Sequence, residues 1–129
     1  MVTTVALIVG AGRGHRFGSE IPKQYCDVGG QSLIRRILNG FLDHLDISGV
    51  RTVIHPDDRA HYNRSVRGLD GLLPPVSGGA TRQDSVRLGL ESLGDLKPRR
   101  VLIHDAARPF VNSQLISRVI KALNDSTAA

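Results

Sequence analysis

Short apolar runs alternate with amphipathic stretches along most of this chain, and that alternation restricts the fold more than any other feature. Residues 5–9 read Val-Ala-Leu-Ile-Val and end in glycine, the pattern of a short strand buried on both faces. Leu33, Ile34, Ile37, Leu38, Phe41, Leu42 and Leu45 then recur at helical spacing and fall on one face of a helix. Residues 50–54 read as a second strand, stopped by Pro56, with Asp57 and Asp58 opening a helix through Arg67. Residues 68–79 carry Pro74, Pro75, Gly78 and Gly79 and leave room for no more than a short strand at 72–76. Residues 81–93 predict a helix with Val86, Leu90 and Leu93 on one face, and residues 100–104 a third clear strand. Ser113 is the expected N-cap of a last helix bearing Leu115, Ile116, Val119, Ile120 and Leu123. Strands that alternate with helices in this way predict an α/β fold: a mainly parallel sheet with helices on both faces. There is no internal repeat and no low-complexity linker, so residues 1–129 are expected to form one domain.

Composition narrows the functional classes. No apolar run approaches the ~20 residues of a membrane-spanning helix, and the first one lacks the basic flank of a secretory signal. No membrane association and a cytoplasmic location are the expectation. Cys26 is the single cysteine, which excludes an internal disulfide framework and a cysteine-rich zinc site. The formal net charge is +5, and of the 17 cationic residues only Lys23, Lys97 and Lys121 are lysines. Guanidinium groups suit phosphate and carboxylate ligands because they offer a planar fork of donors. Nucleic acid fits less well: the arginines are scattered, aromatics make up 4% and there is no Trp, so stacking platforms are scarce.

In open α/β sheets ligands bind beyond the carboxyl ends of the strands, which singles out three segments. The first loop reads Gly10-Ala11-Gly12-Arg13-Gly14-His15-Arg16-Phe17-Gly18. Its glycines let backbone N–H groups approach phosphates. It matches neither the P-loop, which needs Gly-Lys-Ser/Thr, nor the dinucleotide fingerprint, whose third glycine is missing. A tight strand-to-helix turn is the less favoured alternative for this loop. The cations Arg13, Arg16 and Lys23 that follow weaken it further, because clustered positive charges call for an anion. The second segment, Gly78-Gly79-Ala80-Thr81-Arg82-Gln83-Asp84-Ser85, runs from a glycine pair into a helix start. The third, His104-Asp105-Ala106-Ala107-Arg108-Pro109, leaves Asp105 at the carboxyl edge of the sheet, well placed to hold Mg²⁺. His104 reads as structural, and the other histidines lack metal-site spacing.

Together these segments, with Pro22-Lys23-Gln24-Tyr25, resemble the 2-C-methyl-D-erythritol 4-phosphate cytidylyltransferases of non-mevalonate isoprenoid biosynthesis. Order and spacing agree along essentially the whole chain; Pro-Lys-Gln-Tyr and the His-Asp-Ala-Ala-Arg-Pro block are the specific parts. The resemblance implies a Rossmann-like nucleotidyltransferase fold and an enzyme that joins a sugar-alcohol phosphate to CTP, with Mg²⁺, releasing pyrophosphate. It implies that Arg16 and Lys23 supply positive charge to the transition state, and that Gly10, Ala11, Gly12 and Gly14 line the nucleotide. Gly79 and Ser85 match positions that read the cytosine edge, Asp105 the Mg²⁺ ligand, and Ala106 a position beside the ribose.

Two residues depart from the family pattern: Gly10 stands where many members have alanine, and Ala80 where some carry an acid. Family members also continue well past the last helix. The expectation is therefore a domain truncated at its C-terminal end, with an open sheet edge and an exposed apolar face. The resemblance implies a homodimer for the complete protein, and leaves open whether the chain is a fragment or part of a bifunctional protein fused to the cyclodiphosphate synthase of the same pathway. Ribitol-5-phosphate cytidylyltransferase and a non-catalytic nucleotide-binding fragment stay open as alternatives.

Overall fold

The structure, a computed structural model, describes residues 4–11, 21–108 and 112–125. Four parallel strands form the main sheet in the order β5-β4-β1-β6. They are β1 (Thr4–Gly10), β4 (Gly49–Ile54), β5 (Val76–Ser77) and β6 (Arg100–Asp105). β1 lies between β4 and β6, with Val9 opposite both Val53 and Asp105, and every one of its residues is buried. A two-stranded antiparallel hairpin, β2 (Asp27–Val28) and β3 (Gln31–Ser32), precedes the first helix. It turns through Gly29 and Gly30, both at positive φ, a conformation that glycine adopts without strain. The hairpin is too short to leave a hydrophobic alternation in the sequence and was not anticipated there.

The described residues also form the helices α1 (Leu33–Leu42), α2 (Arg59–Ser65), α3 (Arg82–Ser92) and α4 (Ser113–Asp125). Side chains alternate across β1, so Ala6 and Ile8 face the α1 and α4 side with Ile34, Ile37, Phe41, Ile116 and Ile120. Leu7 faces the other side, where it packs with Val53 beneath α3. The expected parallel α/β sheet, with helices on both faces, is what the chain forms.

Several boundaries differ from the sequence reading. α1 stops at Leu42; the chain then turns through bonds from Asp43 N to Asn39 O, His44 N to Phe41 O and Ile47 N to His44 O. Leu45 is consequently fully exposed, and Ile47 packs on the core instead. The expected helix from Asp57 begins as a 3₁₀ turn, Pro56–Asp58, before α2. The expected strand at 72–76 is reduced to β5 and one isolated bridge between Val50 and Leu72, because Pro74 and Pro75 have no N–H to give. α3 turns Ser85 and Gly89 to the sheet, while Leu90 is exposed. The cap of α4 is Asn112, whose Oδ1 accepts from Leu115 N at 2.8 Å; Ser113 is the first helical residue.

Among the described residues β6 is an end strand of the sheet. Beside it Ile103, Leu115 and Val119 are exposed along an apolar groove of about 240 Å³ between β6 and α4.

Candidate functional site

The carboxyl ends of β1 and β6, the loop after β5 and the 3₁₀ turn Lys23–Tyr25 surround one cavity of about 510 Å³. Gly10 and Ala11 form its floor at the end of β1, and Lys23 stands on one wall. Gly79 and Ser85 form another wall, and Asp105 closes the β6 side. Residues that lie far apart in sequence therefore meet at the sheet edge where ligands of such folds bind.

The glycine pair is required by close approach. A Cβ on Gly78 would stand 2.5 Å from the Ala11 Cβ and 2.6 Å from the Ser85 Oγ. A Cβ on Gly79 would stand 2.6 Å from that of Asp84. The loop thus lies directly against the end of β1 and the first turn of α3. Thr81 caps that helix by accepting from Asp84 N at 3.0 Å. Ser85, almost wholly buried, accepts from Gly79 N at 3.1 Å through its Oγ. The two groups matched to cytosine recognition are therefore hydrogen-bonded to each other, which fixes the serine rotamer and leaves its hydroxyl proton for another acceptor.

Asp105 sits between two arginines. Arg82 Nε donates to Oδ1 at 3.0 Å, and Arg108 Nε lies 3.6 Å from Oδ2. With Lys23, the cavity wall carries three cations against one carboxylate among its described residues. A multiply charged anion is the complementary ligand. Among the described residues no group of three or more His, Cys, Asp or Glu is placed to hold a metal ion, and Asp105 is the one carboxylate lining the cavity.

Ala106 is fully buried and does not line the cavity. Its N–H donates to Val9 O at 2.9 Å, and its methyl fills the space that a Gly10 side chain would enter, 3.1 Å from an added Cβ. His104 points away from the site, toward Phe41 with ring centroids 5.6 Å apart. Its Nε2 is buried without a hydrogen-bond partner, and burial holds its pKa below the usual histidine value. The structural reading of His104 fits this position. Gly12, Gly14 and Arg16 lie outside the described residues.

The sequence reading did not single out Gln24, Thr81, Arg82 or Arg108 as site residues, yet all four line the cavity. Arg82 and Arg108 stand three residues after Gly79 and Asp105 respectively, a repeated spacing that carried a usable signal.

The model of the family "2-C-methyl-D-erythritol 4-phosphate cytidylyltransferase", IspD, matches residues 4–129. A bifunctional enzyme IspD/IspF from Paramagnetospirillum magneticum is 57% identical over 124 residues, which are 96% of this chain and 32% of that protein. One from Rhodospirillum rubrum is 55% identical over 129 residues, 100% of this chain and 34% of that protein. The solved 4-diphosphocytidyl-2C-methyl-D-erythritol synthase of Anaerococcus prevotii superimposes with a TM-score of 0.75 at 29% identity, covering 95% of this chain and 52% of its own. The chain thus spans about a third of the curated relatives and about half of the solved structure. With its parallel sheet, its glycine-lined cavity and the match along nearly its whole length, the chain belongs to the 2-C-methyl-D-erythritol 4-phosphate cytidylyltransferase (IspD) family.

Proposed function

We propose that this chain carries the CTP-binding part of a 2-C-methyl-D-erythritol 4-phosphate cytidylyltransferase acting in non-mevalonate isoprenoid biosynthesis. The observation that carries the reading is the meeting of Lys23, Arg82 and Arg108 with the Gly10–Ala11 and Gly79 backbone around one cavity. In this reading the phosphate of the sugar alcohol attacks the α-phosphorus of CTP and pyrophosphate leaves. Charge grows on the α-phosphate oxygens, and Lys23 meets it; Arg16 is assigned the same task by family likeness. No side-chain nucleophile is needed, and no general base, because the attacking phosphate is already an anion.

Gly10 and Ala11, with Gly12 and Gly14 by family likeness, line the nucleotide. Gly79 and Ser85 read the cytosine edge, and the narrow approach of the loop to Ala11 disfavours a purine. Ala106 acts by keeping the floor of the ribose site flat beneath Gly10. Asp105 fits a Mg²⁺ site of the kind that combines one or two carboxylates with substrate phosphates, and the ion, when bound, supplies positive charge against the triphosphate. Arg82 and Arg108 hold the carboxylate at the cavity edge. No helix of the described residues is long and apolar enough to cross a membrane; a cytoplasmic, homodimeric enzyme is the reading drawn from the family.

The test is a pyrophosphate-release assay with CTP, Mg²⁺ and methylerythritol phosphate on the longest natural chain that carries these residues. Lys23→Ala is expected to lower kcat by roughly 10²–10³, with KM little changed, as for loss of a transition-state donor. A loss under about threefold removes the assigned role. Ribitol 5-phosphate as the acceptor, and ATP, GTP and single-stranded RNA as competitors, separate the remaining alternatives.

A further inference from the structure

We propose that Gln24 is a positioning residue that sets Lys23 against the nucleotide; the inference rests on the cytidylyltransferase reading of the same cavity. Gln24 is 3% exposed although it neighbours an exposed lysine in a single 3₁₀ turn. Its Nε2 donates to the carbonyl of Gly10 at 2.8 Å, across fourteen positions of sequence. Gly10 is the last residue of β1, and the bond from Ala106 N to Val9 O is the closing bond toward β6. The Gly10 carbonyl, at the cavity floor, is thus held by a side chain from the lysine-bearing turn.

That hydrogen bond ties the lysine-bearing wall to the floor of the site. The turn itself is stiff: Tyr25 N donates to Pro22 O at 2.9 Å and Cys26 N to Lys23 O at 3.1 Å. The ring of Tyr25 also stacks on His61, with centroids 5.5 Å apart. A stiff turn anchored at Gly10 delivers its lysine to a fixed place relative to the strand end. A turn without the anchor keeps its lysine but not the registration, and misplacement by about 1 Å costs a large part of a positioning effect.

Gln24→Met keeps the volume and removes the donor. In the longest natural chain carrying these residues it is expected to lower kcat about tenfold or more while KM for CTP stays within about threefold. In a Lys23→Ala background the same substitution is expected to lower the residual rate by less than about twofold, because a residue that acts through Lys23 has nothing left to position. An equal loss in both backgrounds, or none in the first, overturns the proposal. Acylation of Lys23, followed by mass spectrometry, reads its placement without turnover. At saturating inorganic triphosphate Lys23 is expected to be protected in the parent protein and to be acylated about tenfold faster in Gln24→Met, where the ligand binds but the lysine no longer lies against it. Equal protection in both overturns the positioning role. If the parent protein transfers no cytidylyl group but the labelling difference is found, the functional reading fails and the placement by Gln24 stands.

Discussion

The two faces of the sheet are packed by different means. On one side, α1 and α4 bring Ile34, Ile37, Leu38, Phe41, Ile116 and Ile120 onto Ala6 and Ile8, so the space is filled by side-chain volume. On the other side, α3 presents Ser85 and Gly89, and the helix approaches so closely that a Cβ on Gly89 would stand 2.8 Å from Leu7 and from Val53. The first face supplies most of the buried apolar surface and hence the stability. The second spends little volume and gains proximity, which brings the first turn of α3, with Thr81, Arg82 and Ser85, against the end of β1. The site is an outcome of how near a helix can come, and the large core on the opposite face is what allows one face to be packed with small residues.

The comparison is broken most forcefully at Ile37, 1% exposed on the volume-filled face. Ile37→Ala is expected to lower unfolding free energy by about 2–5 kcal/mol in urea denaturation, with nucleotide affinity of the folded fraction unchanged. A weakened affinity without loss of stability would show that the two faces are not separate in function. Gly89→Val tests the other face. Overpacking there is expected to cost about 1–3 kcal/mol and, unlike Ile37→Ala, to weaken CTP binding by calorimetry, because α3 must move away from Leu7.

A finer contrast lies in the two helix caps. Thr81→Ala and Asn112→Ala each remove one side-chain acceptor, at the start of α3 and α4 respectively, and each is expected to cost about 0.5–2 kcal/mol. Of these two, Thr81→Ala is also expected to weaken CTP binding, since Thr81 borders the cavity. The smallest effect concerns His104, which packs on Phe41 on the volume-filled face. Its depressed pKa means that the folded state resists protonation more than the unfolded chain does. Its contribution is therefore fully present above the ordinary histidine value of 6.5 and is lost as pH falls below it. His104→Leu is expected to flatten that acid side of a plot of Tm against pH; an unchanged slope assigns the acid loss to other groups.

Helix ends and inward faces were less legible than the elements themselves. The spacing of Leu33, Ile34, Ile37, Leu38 and Phe41 gives α1 unambiguously, but the same rule carried one turn too far predicts burial for Leu45, which is exposed. The pattern continues there by coincidence, while backbone bonds after Leu42 turn the chain and bring in Ile47. On the predicted face of α3 Leu93 is buried, but Leu90 is exposed and Ser85 and Gly89 are the helix's buried residues. Hydrophobicity is a poor guide where the helix must come near, because the residues that permit approach are small. The cavity was more readable: Gly10, Ala11, Lys23, Gly79, Ser85 and Asp105 were all picked from sequence and all line it. Gln24 has no such signature in the sequence, because nothing local marks a buried amide that reaches a carbonyl fourteen residues away.

The sequence by itself determined the α/β class, the three segments that meet at the sheet edge, and the family. Those properties are written in local periodicity, in glycine placement and in motif spacing, each of which constrains only neighbours along the chain. The tertiary structure decided that β1 lies between β4 and β6, that Arg82 and Arg108 both turn to Asp105, and that Gln24 joins the lysine turn to Gly10. Such contacts depend on strand order and register, which place groups to within a few tenths of an ångström. An apolar period states which side of an element is buried, but not which element covers it.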